Sequence, residues 1–336
     1  MTSCGPVNCG SNAPILVTGA TGLVGNNVVR LLVERGAAVR VLTRSASDGR
    51  PLEGLGVQIV VGDVLDEESL ARAAESVSGV VHAAGCVLIG WHNAGLLDRV
   101  NHIGARNVAR AARAAGARMV HVSTINTLGA GLRDRLADEQ WVARPNVACQ
   151  YVVSKRAGER AVEAEMEQGL DAVIVHPGLM FGPWDWKPSS SKMLLQVVRR
   201  FRPFSPSGGC AVGDVRDVAA AIVGALEVAP ASRRYVLGGH NLTYLELWRM
   251  MAEVAGRRGP WCRCGPAIPY LLGQAGDLWG RLTGHEPDVN SAVVTLSRCF
   301  HYFSSARAER ELGFRVRPAE ETMADTWQWL REFGYA

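Results

Sequence analysis

Tyr151 and Lys155 stand four residues apart in the run Tyr151-Val-Val-Ser-Lys155. On a helix that spacing puts both side chains on one face, one turn from each other. A free phenol has a pKa of about 10 and exchanges protons poorly at neutral pH. An ammonium one turn away favours the phenolate, so the pair predicts a tyrosine whose pKa is drawn down. Such a tyrosine can give or take a proton as hydride reaches or leaves a carbonyl carbon. The same spacing also occurs on solvated helix faces, and it acquires meaning only if a dinucleotide site precedes it.

The first part of the chain has the pattern of such a site. Pro14-Ile-Leu-Val-Thr18 is a short apolar, β-branched run that reads as a buried strand. Gly19-Ala-Thr21-Gly22-Leu23-Val24-Gly25 follows at once, and Asn26–Arg35 then carries apolar residues at helical spacing up to Gly36. Strand, glycine turn and helix in this order let the backbone approach a pyrophosphate at a helix N-terminus. Gly19, Thr21, Gly22, Leu23, Val24 and Gly25 are therefore the first candidate cofactor contacts. Val39-Arg-Val-Leu-Thr43 is the next strand. Where an NAD site would place an acid for the ribose 2′-hydroxyl, this chain has Arg44, whose guanidinium suits a 2′-phosphate. NADP(H) is thus favoured over NAD(H). The run 57–62 is a third strand, with Asp63 and Val64 at its carboxyl end. Asp63 either accepts from the adenine amino group or caps a turn. Gly79-Val-Val-His-Ala83-Ala84 is a fourth strand, and Gly85 opens a loop toward the nicotinamide side.

The remaining elements place the tyrosine. A helix is expected over Asp98–Gly116, and Arg118–Val122 is a strand that delivers Ser123 and Thr124 to the same edge. Residues 130–149 read as an irregular connection and Gln150–Gly169 as the helix bearing Tyr151 and Lys155. Asp171–Val175 is a sixth strand, ending in His176-Pro177-Gly178. After Gly182 prolines and tryptophans punctuate the chain. A helix at Asp214–Val228 and a strand at Arg234–Leu237 should rejoin the first part, and helices at Tyr244–Ala255 and Pro318–Phe333 close the chain. The expected fold is α/β: a doubly wound parallel-sheet Rossmann domain over residues 13–178, with 211–238 returning to it. A smaller, mostly helical substrate domain covers 179–336.

Composition excludes other classes. With 336 residues, 48% hydrophobic and 20% charged, the chain has the makeup of a globular enzyme with a sizeable core. A net charge of +4 without dense basic runs gives no warrant for nucleic-acid binding. Residues 1–12 lack the features of a signal peptide and read as a frayed tail. The least polar stretch, Ala267–Leu278, is interrupted by Pro269, Gly273, Gln274 and Asp277, so no spanning helix is expected. Eight scattered cysteines suit free thiols in a reducing cytoplasm. Cys262-Arg-Cys264 lacks a second pair, so no metal is expected.

In their order, Thr18-Gly19-Ala-Thr-Gly22-Leu-Val-Gly25, Gly62-Asp63, His82-Ala-Ala-Gly85, Asn101, Ser123-Thr124, Tyr151-x-x-x-Lys155 and Pro177-Gly178-x-x-x-Gly182-Pro183 resemble the extended short-chain dehydrogenases/reductases. The chain looks most similar to the branch of dihydroflavonol 4-reductase, cinnamoyl-CoA reductase and 3β-hydroxysteroid dehydrogenase, and to bacterial hopanoid-associated sugar epimerases. The resemblance implies that Tyr151 is the proton donor, that Lys155 holds the nicotinamide ribose and that Thr124 hydrogen-bonds the substrate oxygen, with Ser123 as fallback. Asn101 would support the fifth-strand and helix geometry. His176 stands where relatives commonly carry arginine. Ser123, Ala83, Ala84, Gly85 and Pro177 join the cofactor set. The implied reaction transfers hydride between NADP(H) and a ketone, aldehyde or secondary alcohol.

An NAD-dependent nucleotide-sugar epimerase is the alternative, and a non-catalytic dinucleotide sensor is a third. The family's dehydratases carry an Asp-Glu pair after the threonine, where this chain has Ile125-Asn126. Val87, Leu88, Ile89, Trp91, Leu128, Met180, Phe181, Trp184 and Trp186 are the expected apolar lining for a small-molecule substrate. Many relatives dimerise through a four-helix bundle, and Ala105, Ala109, Ala112, Ala161 and Ala164 offer small-residue packing for a possible homodimer.

Overall fold

The computed structural model describes residues 13–45, 49–141 and 149–336. The expected tail at 1–12 and part of the connection at 130–149 lie outside them. Seven strands form one parallel sheet: β1 (Ile15–Thr18), β2 (Val39–Thr43), β3 (Gln58–Val61), β4 (Gly79–His82), β5 (Arg118–Val122), β6 (Ala172–Pro177) and, much later in the chain, a strand at Arg234–Leu237. Their spatial order runs β3-β2-β1-β4-β5-β6 and then the late strand, so the order reverses between β1 and β4. Ile15–Thr18 pairs with both neighbours and is fully covered, which is why its run is continuously apolar rather than alternating.

Helices cover both faces. α1 (Leu23–Glu34) packs on one face. On the other lie α2 (Glu67–Ala74), a short α3 (Ala94–Leu97), α4 (Gly104–Ala114) and α5 (Gln150–Glu167). Between α3 and α4, Asp98–Ile103 winds as a π-helix, so the helix expected over 98–116 begins as a π-turn and continues as α4. Ala105, Ala109 and Ala112 are completely buried against the sheet within this chain. They pack the core and present nothing to a second copy, whereas Ala161 is half-buried and Ala164 exposed on α5.

After β6 the chain builds a second sheet. β7 (Leu179–Phe181) leads to α6 (Ser191–Arg199), β8 (Phe204–Ser205) and β9 (Gly209–Asp214), and β7 pairs with β9. Asp214 caps α7 (Val215–Val228), which returns to pack on α1. The seventh strand, β10 (Arg234–Leu237), then pairs with β6. The remainder comprises β11 (His240–Thr243), α8 (Tyr244–Glu253), β12 (Cys262–Arg263), α9 (Ala267–Thr283), α10 (Ser291–Arg298), β13 (Phe300–His301), α11 (Ala306–Leu312) and α12 (Ala319–Glu332). A capping box starts α8: the Thr243 hydroxyl accepts from the Glu246 amide, and the Glu246 carboxylate accepts from the Thr243 amide. The residues that interrupt the apolar stretch from Ala267 do not break α9, because Gly273 and half-buried Asp277 fall on one packed face and Pro269 sits in the first turn.

Adjacent strands carry buried histidines on one face. His82 on β4 and His121 on β5 are register partners with ring centroids 5.3 Å apart, and His176 lies on β6. Thr18 Oγ1 lies 2.7 Å from His82 Nδ1. Burial lowers all three pKa values, that of His82 to about 3. The folded chain therefore keeps them neutral, whereas the unfolded chain protonates them below its ordinary histidine pKa of about 6.5. Stability is fully present above that pH and is lost as pH falls toward about 3, each histidine contributing at most about 1.4 kcal/mol per pH unit. Buried Glu159 is held below the usual carboxylate range, so its loss begins only lower. Denaturant unfolding at a series of pH values should show stability already falling between pH 6.5 and 5, and constant stability to pH 5 would refute the reading.

Candidate active site

At the point where strand order reverses, the turn after β1 lies against the end of β4. Gly19 has φ +73°, and a Cβ there would lie 2.5 Å from the Ala84 nitrogen and 2.6 Å from the Ala83 carbonyl carbon. A Cβ at Gly25 would lie 2.3 Å from the Gly19 oxygen. Both glycines are thus required by backbone approach. Ala83 N–H donates to the Thr18 carbonyl at 3.2 Å. Gly22 is the N-cap of α1, no side chain caps that end, and no acid stands in its first turn. Leu23 is buried and Val24 packs on the core, so those two face the crevice through backbone alone. Thr21 is half-buried and Gly22 exposed at the rim. A cradle closed to side chains and a bare helix N-terminus fit a dinucleotide pyrophosphate.

The adenosine side is less uniform. Arg44 is exposed just past β2. Asp63 uses one carboxylate oxygen to accept the Leu65 amide at 2.9 Å, the turn-capping option. Val64 packs its side chain against Gly104, and its carbonyl accepts from Asn107 at 3.2 Å. Pro177 is buried at the end of β6 beside β10.

The nicotinamide side converges. A Cβ at Gly85 would sit 3.3 Å from Asn101 Oδ1 and 3.9 Å from Lys155 Nζ. Asn101, in the π-helical turn, accepts from Cys86 N–H at 2.8 Å and donates to Cys86 O at 2.9 Å and to Ser154 Oγ at 3.0 Å. It therefore ties the loop after β4 to α5. π-helical turns are rare and frequently mark functional sites. α5 can approach this turn because it presents Gly158, where a Cβ would lie 2.2 Å from the Asn101 oxygen.

Tyr151, Thr124 and Lys155 are brought together, all buried. Burial pushes the Tyr151 hydroxyl up to about 12, partly offset by the neighbouring Thr124 hydroxyl. Desolvation in this apolar setting sets the direction of the shift, opposite to the one a lysine one turn away favours. Lys155 donates from Nζ to the Val122 carbonyl at 2.8 Å. Burial lowers its pKa to about 8, and Glu159 opposes that fall.

Ser123 does not stand beside Thr124 as a second hydroxyl. It donates to the Glu159 carboxylate. Glu159 in turn meets Arg234 of β10 at 3.2 Å and His176 at 3.6 Å, and His176 Nδ1 lies 3.3 Å from the Thr124 carbonyl. Glu159, Ser154 and Arg234 were missed in the sequence. The signal for Glu159 was present: Tyr151, Lys155 and Glu159 repeat every four residues, a stripe ending in an acid on a buried face.

The expected substrate lining divides. Leu88 and Ile89 pack with Cys86, Cys149, Ala292 and Leu296 in the apolar cluster that holds Tyr151. Trp91 is exposed but anchored, its Nε1 donating to Ser291 at 2.8 Å. Val87 is exposed, Leu128 packs near Phe303, and Met180 and Phe181 pack in two other clusters. Trp184 and Trp186 are drawn out of the mouth by Trp329 and Phe333 of the α12 end, with ring centroids 4.9–6.2 Å apart, and Arg30 stacks 3.5 Å over Trp184.

Residues 15–238 match the NAD dependent epimerase/dehydratase family. The chain is 32% identical to the sterol demethylase protein B of Methylococcus capsulatus over 95% of this chain and 98% of that one. It is 30% identical to a putative dihydroflavonol 4-reductase of Synechocystis, covering 95% of each. The solved structure of the protein gox2253 superposes with a TM-score of 0.85 at 32% identity, over 96% of this chain and 99% of that one. These findings support an enzyme that uses NAD(P). The chain belongs to the NAD dependent epimerase/dehydratase family, the extended short-chain dehydrogenases/reductases.

Proposed function

We propose that the protein reduces a hydrophobic ketone or aldehyde with NADPH, or runs the reverse oxidation. The supporting observation is Tyr151, held in an apolar cluster beside Thr124 with its proton retained well past neutral pH. A tyrosine that keeps its proton is a donor for the alkoxide that forms as a carbonyl is reduced. In this reading Thr124 and Tyr151 both donate to the carbonyl oxygen and orient it. Lys155, fixed on the Val122 carbonyl, presents its charge to the space beside Gly85, where it holds the nicotinamide ribose and eases proton loss from Tyr151. Gly19, Gly22, Gly25 and the first turn of α1 hold the pyrophosphate, and Arg44 holds the 2′-phosphate. When bound, the cofactor supplies the hydride. Residues 13–178 with α7 and β10 carry the dinucleotide, and 179–336 complete the substrate cleft. A relative named as a dihydroflavonol 4-reductase is consistent with this chemistry.

Three outcomes test the reading. Tyr151→Phe should bind NADPH normally yet lose turnover by roughly 10²–10⁴-fold, the usual contribution of a positioned proton donor; near-normal turnover would remove Tyr151 from the role. Arg44→Ala should weaken NADPH roughly tenfold to a hundredfold while leaving NADH unchanged, since a charged contact to phosphate contributes about 1.5–3 kcal/mol. Equal NADPH affinity in both proteins would sink that assignment. A screen of aromatic and alicyclic ketones by NADPH oxidation should find turnover that declines above about pH 8, where Lys155 loses its charge. Thermal stabilisation by UDP-hexoses with no ketone turnover would instead select the nucleotide-sugar epimerase, which works with a retained NAD.

A further inference from the structure

α9 is built inside out. It spans Ala267–Thr283, about 25 Å of helix. The face it packs on the body is made of Gly273, Gly276 and Gly280, with Asp277 between them. A Cβ at Gly276 would lie 1.9 Å from the Val289 oxygen, and one at Gly273 3.1 Å from Ser291 Cα. Its large side chains face away: Leu271, Leu278, Trp279 and Leu282 are 65%, 59%, 62% and 76% exposed, and Ile268 and Leu272 are exposed beside them. Ordinary surface helices bury such residues and expose polar ones. A continuous apolar face of this kind marks an interaction site.

Charge points to the occupant. Asp277 is the helix's sole acid and turns inward, accepting the Ser291 amide at 3.0 Å. In the following loop Glu286 accepts from His92 N–H at 2.7 Å, and Asp288 pairs with Lys192 at 2.7 Å. Asp277 and Glu286 are thus held by backbone amides and Asp288 by Lys192, while Arg281 on the helix is exposed. Trp279 and Tyr270 stand among the leucines, and amphipathic rings favour the boundary between lipid headgroups and acyl chains. No described helix is long and apolar enough to cross a membrane, so this face can lie on a bilayer but not span it.

We propose that α9 is a surface-docking helix that lies on an anionic phospholipid bilayer, with its leucines and Trp279 seated at the headgroup–acyl boundary. The docking helix neighbours the candidate cleft through its opposite, packed face. α9 packs on α10, whose Ala292 and Leu296 belong to the apolar cluster around Tyr151, and Trp91 of the cleft loop is tied to Ser291. Docking would hold that cleft at the bilayer surface. It goes beyond the reductase reading and does not depend on it, since it concerns a face that carries none of the proposed catalytic groups.

The test is flotation of the full chain with vesicles of phosphatidylcholine mixed with phosphatidylglycerol, with phosphatidylcholine alone, and without lipid. Wild type should float with the mixed vesicles, less with the neutral ones, and be released by salt. The double variant Leu278→Glu/Leu282→Glu alters only exposed side chains. It should lose vesicle binding by at least about tenfold while its thermal midpoint and NADPH affinity stay at wild-type values. Wild type remaining with the lipid-free protein, or the double variant floating as well as wild type, would overturn the proposal. So would light scattering that shows wild type as a dimer and the variant as a monomer without vesicle binding, which would assign the face to a second copy.

Discussion

A lysine buried at the edge of a sheet must find acceptors, and much of the candidate centre follows from how Lys155 does so. Its ammonium lies on the Val122 carbonyl, at the last residue of β5, with Glu159 one helical turn further along α5. That contact fixes the height of α5 over the sheet and, through it, the position of Tyr151. Glu159 is itself buried and holds Ser123, His176 and Arg234 around it, so a single carboxylate joins β5, β6 and β10. A buried charge without partners costs several kcal/mol. Here the partners come from three strands of one sheet.

The sheet was legible in the sequence because its strands are short, β-branched and bounded by glycine or charge. The limits of β2, β5 and β10 coincide with the expected runs. The glycine turn was legible for a steric reason that any βα crossover shares. The aromatic lining was not. Trp184 and Trp186 stand next to the family's Gly-Pro motif, but their partners Trp329 and Phe333 lie some 145 residues away, and no local pattern reveals which side of the loop those rings will occupy.

Two further readings meet a common limit. Sequence neighbours said that Lys155 lowers the Tyr151 pKa, and the folded surroundings raise it. Glycines and an aspartate interrupt the apolar run after Ala267 and argue against a spanning helix, as found, and the same residues form the packed face of α9. In both cases local chemistry was read correctly but its solvent was not. Spacing gives which residues meet along one element. It gives no measure of how much water the rest of the chain removes from them, and that quantity sets both a proton affinity and the meaning of a glycine.

The placement of β10 bears on how the chain is made. β6 is buried along its whole length, yet the strand that covers its outer side begins at Arg234, after the second sheet's first strands and α7 have been synthesised. A ribosome adding about 5–20 residues per second leaves that edge open for several seconds. During that interval β6 is an apolar strand with an unsatisfied row of backbone groups, the arrangement that recruits foreign strands. Until β10 is made, that edge of the sheet stays open to misassociation, and the late strand is the closure that ends this window.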